Sequence, residues 1–254
     1  MRASNATYEQ TASMLETYTD FGVDAIMGPL SAPSLNNFPD LLGTLNRFEG
    51  ETGRKIIKID TPVMNVDDTK EGRASAAATI KASAASGAKF CLIHHSSAEQ
   101  LVNKNKRVIE RLPDYLKMIR DNGMIPGLSA HMPELIMFSD LNGYDVQTYI
   151  QIFNCLGFLM QIEIESIIHI IHGAKKPVMT IKPMAAGRMT PYVGLTFNWN
   201  VLRACDMITV GCQNRHEAFE AVEISFAALE KRLPNLEGRS SPNKTDLIKG
   251  GANK

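Results

Sequence analysis

Short apolar runs alternate with longer stretches of helical spacing, and this alternation is the strongest signal along the chain. The runs centre on residues 23–28, 55–60, 90–95, 125–130, 149–154, 178–183 and 207–212. Each is rich in Ile, Val, Leu or Met and of strand length. Between them, residues 7–19 place Met14, Leu15 and Tyr18 at helical spacing. Residues 33–48 place Leu41, Leu42, Leu45 and Phe48 on one side, and residues 74–85 are rich in alanine, the best helix former. Further helices are predicted over 108–121, 133–139, 159–171 and 217–232. Gly22, Gly87 and the pair Asn122-Gly123 mark stops. Residues 96–106 read as a polar connection. Residues 188–199 read as a loop with an aromatic cluster, followed by a short helix to residue 204.

Strands that alternate with helices imply parallel pairing through right-handed crossovers. The predicted architecture is an α/β fold of (β/α)8 TIM-barrel type. It is short of one strand, because seven runs are present and the pattern starts on a helix. The first strand is therefore expected to be missing or truncated. Residues 1–233 are expected to form a single barrel domain. Residues 234–254, dominated by Gly, Ser, Asn, Lys and Pro, are expected to form a polar tail. An open barrel edge exposes unpaired backbone groups, so a second copy of the chain or the tail is expected to cover it.

Composition narrows the function classes. The 27 basic and 27 acidic residues cancel, which gives no basic excess for a nucleic acid or an anionic membrane surface. No apolar run has the length of a bilayer span, and no hydrophobic segment follows Arg2 as in a secretory signal. The four cysteines are scattered, against a disulfide framework or zinc ribbon. Cys91 and Cys205 read as small core residues. A reduced, cytoplasmic setting and a small-molecule substrate are the expectation.

The strands end in polar residues that packing does not explain. Lys58 and Asp60 close the second run and share a face by alternation. His94 and His95 close the third and are expected on opposite faces, His131 follows the fourth, and Lys182 ends the sixth. In a parallel barrel such ends gather at one rim, where ligands bind. An enclosed Lys58 would be a base or a Schiff-base nucleophile, or else a buried partner of Asp60 or Asp24. His94 and His131 suit proton transfer near neutral pH. Lys182 and Arg188 offer an anion cradle beside the Gly211 turn. No metal site is assigned. A divalent-metal set of Asp60, one of His94 and His95, and His131 is the weaker alternative, because no local spacing supports it. His169 and His172, one turn apart, read as outer-surface residues. Tyr192, Phe197 and Trp199 read either as a lid or as an apolar helix packed on the barrel.

Several patches, in order over roughly residues 54–230, resemble the aldo-keto reductase superfamily. Leu92-Ile93-His94-His95 resembles the family's fourth strand, with His94 at its active-site His. Gly127-Leu128-Ser129-Ala130-His131-Met132-Pro133-Glu134-Leu135 is similar to the fifth strand and its Pro-Glu helix start. Gln151-Ile152-Phe153-Asn154-Cys155-Leu156 resembles the sixth. Lys182-Pro183-Met184-Ala185-Ala186-Gly187-Arg188 resembles a Lys-Pro-Leu-x-Gly-Gly pattern, and residues 210–218 resemble the last strand and its cofactor loop. The resemblance implies Lys58 as the catalytic Lys and NADP as cofactor. It implies Ser129 and Gln151 on the nicotinamide amide, and Gln213, Asn214 and Arg215 on the adenosine phosphate. The family's Asp and Tyr acid pair is lost: the second strand's place is taken by Met27-Gly28-Pro29-Leu30-Ser31.

The chain is thus expected to be a small-molecule enzyme acting on a carbonyl, sugar-like or phosphorylated compound. Lys58, His94 and His131 would be the catalytic groups. Ser129, Gln151, Lys182, Arg188, Gln213, Asn214 and Arg215 would hold the ligand or cofactor. The rivals are a cofactor-independent lyase, aldolase or isomerase using Lys58 or a His/Asp metal site, and a non-catalytic barrel.

Overall fold

The structure is a computed structural model and describes residues 7–31 and 40–236. The chain runs α1 (Tyr8–Asp20), β1 (Ala25–Gly28), α2 (Leu41–Thr52), β2 (Ile57–Asp60), α3 (Lys70–Ala85), β3 (Phe90–Ile93) and α4 (His95–Ala98). A small hairpin of β4 (Val102–Asn103) and β5 (Val108–Ile109) follows. Then come α5 (Leu112–Asp121), β6 (Ile125–Ala130), α6 (Glu134–Asn142), β7 (Thr148–Ile152), α7 (Ile164–Gly173), β8 (Val178–Ile181), α8 (Pro191–Val201), β9 (Met207–Ile208) and α9 (Arg215–Glu230).

Seven strands pair in parallel in the order β1-β2-β3-β6-β7-β8-β9. The fold is the predicted (β/α)8 type with one strand short: a curled, open barrel with nine helices among the described residues. The predicted strands all form.

The helices differ more. Residues 33–39 of the second predicted helix lie outside the described residues, and the described part begins at Leu41. Val108 and Ile109 pair in the hairpin, so α5 starts only at Leu112. The helix predicted from residue 159 starts at Ile164. The predicted aromatic loop is mostly helix: Thr190 precedes Pro191, whose fixed φ suits a first helical position, and α8 runs on through Trp199.

Alternation sorts the strand side chains into two faces. Tyr149, Cys91, Leu128 and Val178 join the large outer core beneath the helices, and the Tyr149 hydroxyl donates to Asp140 of α6. Their neighbours Ile59, Leu92, Ile150 and Met179 pack together inside the barrel. Cys91 is fully buried as expected, but Cys205 is exposed in the turn before β9.

Among the described residues no strand joins the edges β9 and β1. An apolar cleft of about 360 Å³ lies there, lined by Met27, Ile59, Met179, Trp199, Val222 and Phe226 among others. Outside it, α1 and α9 meet through the Phe21 ring, 5.8 Å from Phe219 and 6.2 Å from Phe226. The outer layer thus closes where the sheet does not.

Candidate active site

Three imidazoles converge at the carboxyl ends of β3 and β6. Strand β3 stops at Ile93 because the backbone of His94 turns to cap α4, with the His94 Nδ1 accepting from the Ser96 N–H at 3.3 Å. Strand alternation therefore ends there, and His94 and His95 do not diverge as expected: their rings lie 4.2 Å apart. His131 leaves β6 and stacks on His95, with ring centroids 3.7 Å apart and 16° between planes.

Glu99 fixes this arrangement. Its Oε1 accepts from the backbone N–H of His131 at 2.7 Å and of Met132 at 2.9 Å. His95, Glu99 and His131 each offer a ligand atom within 4.8 Å of the other two. Glu99 was missed from sequence because residues 96–106 read as a polar connection. Its signal is the four-residue spacing from His95, which sets two side chains on one helical face.

The electrostatics favour neutral rings. Burial, then His95, pushes His94 down to about 4. Burial, then His95, Lys182 and His94, pushes His131 down to about 4. Burial also lowers His95, against the pull of Glu99 and with Lys182 adding to the effect. Lys182 is thus close enough for its charge to be felt by both stacked rings. Its ammonium has no hydrogen-bond or ion-pair partner among the described residues, and its carbonyl accepts from the Ala185 N–H at 2.9 Å. Lys182, Ala185 and Ala186 all take left-handed φ values of 59°, 48° and 57°. For non-glycine residues that conformation costs roughly 1–2 kcal/mol each, so strain is concentrated in the loop that presents Lys182.

The other predicted site residues divide. Ser129 lies between the outward Leu128 and Ala130 and so faces the barrel interior, on the same side as His131. Arg188 lays its guanidinium over Phe158 at 3.9 Å and donates one bond to the Ala185 carbonyl at 3.2 Å, leaving donors for an anion.

Lys58 does not join the site. Its ammonium pairs with Glu49 of α2, on the outward face. Register sets Ile59 opposite Phe90, so Lys58 lies level with Lys89, five residues before His94. At about 3.3 Å per residue that is roughly 16 Å, too far for joint proton transfer. The expected partners Asp60 and Asp24 are replaced by Glu49. Asp60 shares the outward face, accepts from the Leu30 N–H at 2.8 Å, and is not in the cluster of His95, Glu99 and His131.

Gln151 is fully buried on the outward face between Tyr149 and Phe153, with its amide reaching only the Ile152 carbonyl at 3.3 Å. Asn214 caps α9, its Oδ1 accepting from the Glu217 N–H at 3.0 Å, while Glu217 accepts from the Gln213 N–H at 2.8 Å. The groups expected on an adenosine phosphate, with Arg215 in the first turn, are therefore arranged as a helix cap. His172 pairs with the Val201 carbonyl at 2.7 Å on the surface. Phe197 stacks on Phe153 at 5.3 Å, as the packing reading expects for that residue, while Tyr192 is exposed.

Comparison with known proteins places the fold and stops there. No protein-family model matches the sequence, and no curated protein matches it. Among solved structures, the chain is similar to a Pseudomonas aeruginosa protein provisionally named an aldo-keto reductase, at 14% identity and a TM-score of 0.63, over 90% of this chain and 86% of that one. It is similar to the aldose reductase from Schistosoma japonicum at 11% identity and a TM-score of 0.51, over 94% of this chain and 88% of that one. It is also similar to the Amycolatopsis orientalis BexX/CysO complex, at 11% identity and a TM-score of 0.54, over 96% of this chain and 91% of that one. At such identities the likeness is of fold: a distant aldo-keto-reductase-like barrel. No helix among the described residues is long and apolar enough to cross a membrane.

Proposed function

We propose that the chain is an oxidoreductase-like enzyme acting on a small carbonyl compound at the carboxyl rim of the barrel. The observation that carries this reading is the convergence of His94, His95 and His131 beside an unpaired Lys182. A carbonyl oxygen gathers negative charge as the carbonyl carbon is attacked, and a fixed cation with hydrogen-bond donors stabilises that charge. Lys182 supplies the cation and a proton. The imidazole of His131, neutral at pH 7, supplies a donor. Together they take the role that the family gives to its Asp and Tyr, which this chain lacks.

The residues fit a nicotinamide nucleotide at the rim: Ser129 faces the interior, and Arg188 keeps free donors near Lys182's loop. They fit it poorly beyond, since Gln151 is enclosed and the Glu217 carboxylate takes the Gln213 N–H of the loop before α9. Bound there, NADPH or NADH would supply the hydride. Ser129 alone would then hold the carboxamide, so binding is expected to be weak.

Titration with NADPH and with NADH, followed by nicotinamide fluorescence, tests the reading. Saturable binding by one of them, weakened at least tenfold by Arg188→Met, is the expected result. The absence of binding by either would end the reductase reading.

A further inference from the structure

We propose that His95, Glu99 and His131 form a three-ligand site for a divalent transition metal such as zinc. The site lies on the same rim as the proposed reaction but does not depend on the reductase reading. Three observations carry it.

The first is the ligand set. Two imidazoles and one carboxylate are the donors that suit zinc and its neighbours, and three protein ligands leave positions open to water or substrate. The donor atoms already lie within 4.8 Å of one another. Ligands at about 2.0–2.2 Å from one tetrahedral ion lie roughly 3.4 Å apart, so the side chains close by about an ångström on binding.

The second is the way Glu99 is held. Its Oε1 is committed to the His131 and Met132 backbone N–H groups. Its Oε2 takes no hydrogen bond among the described residues. The N–H bonds orient the carboxylate and tie it to the chain segment that carries the other ligand, as outer partners do in metal sites.

The third is the stack itself. Two half-buried imidazoles lie face to face at 3.7 Å. Neither ring has a hydrogen bond from a protein group among the described residues, unlike His94, which bonds Ser96 at 2.8 Å. The rings are only partly buried, so their nitrogens stay open to water or to a ligand. One cation binds both nitrogens once the rings tilt apart from their 16° stack, because imidazole lone pairs lie in the ring planes.

Lys182 sets the strength. Its positive charge is felt at both rings and opposes a second cation. Glu99 offsets one charge only, so affinity is expected to be moderate. Removing the charge by Lys182→Met is then expected to tighten metal binding several-fold. A purely structural role for these residues predicts no such change.

Cobalt(II) added to the metal-free full chain tests the proposal through its visible absorption, with zinc competition as a second reading. Expected are one cobalt per chain, displacement by zinc, at least tenfold weaker binding in His95→Gln and His131→Gln, and tighter binding in Lys182→Met. His169→Ala, on the far α7 surface, is expected to leave binding unchanged. Circular dichroism of each variant separates lost ligands from lost fold. Absence of stoichiometric binding in the wild-type chain would overturn the proposal. Binding of equal strength in folded His95→Gln and His131→Gln would overturn it too. The readout is metal alone, so failure of nicotinamide binding leaves it standing, and its own failure leaves the reductase reading untouched.

Discussion

His95 and His131 stack ring on ring at 3.7 Å, although one opens the short helix after β3 and the other leaves β6. The contact exists because those strands are neighbours in the sheet and because Glu99 ties the His131 backbone to the segment bearing His95. Burial lowers both rings from the ordinary histidine value, His131 to about 4, which favours neutral rings. Nitrogen-15 spectra of the histidine side chains at pH 7 are expected to show neutral imidazoles for His94, His95 and His131. His131→Ala is expected to shift the His95 ring protons by removing the ring current above them. Unshifted His95 protons would mean that the stack does not form in solution.

Lys58 holds β2 to α2 through Glu49. Its ammonium and the Glu49 carboxylate are 9% and 16% exposed. Removing one partner of a buried pair leaves an uncompensated charge and typically costs 3–5 kcal/mol. Lys58→Met is expected to destabilise the fold by about 3 kcal/mol in urea denaturation. The double variant Lys58→Met with Glu49→Leu is expected to recover much of that loss. Turnover per folded molecule is expected to stay within about twofold, since the ammonium lies roughly five strand residues from the imidazoles.

Asp206 fastens the start of β8 to the turn before β9. Its carboxylate is fully buried and accepts from the Val178 N–H at 2.8 Å and from the Arg203 guanidinium at 2.7 Å. Burial opposes its charge, but the bonds from Arg203 and from two backbone N–H groups win and hold its pKa below the usual carboxylate value. A carboxyl whose folded pKa is depressed adds stability above its unfolded pKa, near 3.8, and loses it as pH falls through the folded value. Asp206→Asn is expected to lower stability at pH 7 by about 3 kcal/mol and to flatten the acid limb of the stability curve below pH 4. Urea melts between pH 7 and pH 2 read both effects.

Helix α8 passes directly over the loop that presents Lys182. A Cβ on Gly194 would sit 2.5 Å from the Pro183 carbonyl oxygen, a backbone atom that cannot swing aside. Gly194→Ala is therefore expected to cost about 1–3 kcal/mol and to displace the Lys182 loop. The check is the denaturation midpoint together with nicotinamide affinity, both expected to fall.

The strand order was legible because each strand of this sheet is a compact apolar run bounded by turn signals. The orientation of the strand residues was not. In Ile56-Ile57-Lys58-Ile59-Asp60 the polar Lys58 and Asp60 are buried along with Ile59 while Ile57 is exposed, so polarity does not mark inside and outside. Lys58 could be placed only by Glu49, a contact made across a helix. The same ambiguity hid the outward turn of Gln151. His94 and His95 failed differently: the strand ends one residue before them, and the alternation rule stops with it. Glu99 carried a usable signal in its spacing from His95, masked by the polar residues around it.

Turnover of a panel of small aldehydes, ketones and keto-sugars with NADPH and NADH, followed by nicotinamide absorbance, tests the rim assignment most directly when wild type, Lys182→Met, His131→Gln and Lys58→Met are compared. Expected are wild-type turnover, a loss of about a hundredfold or more in kcat/KM for Lys182→Met and His131→Gln, and near-normal turnover for Lys58→Met. Turnover that survives in Lys182→Met and His131→Gln but disappears in folded Lys58→Met would contradict the rim assignment.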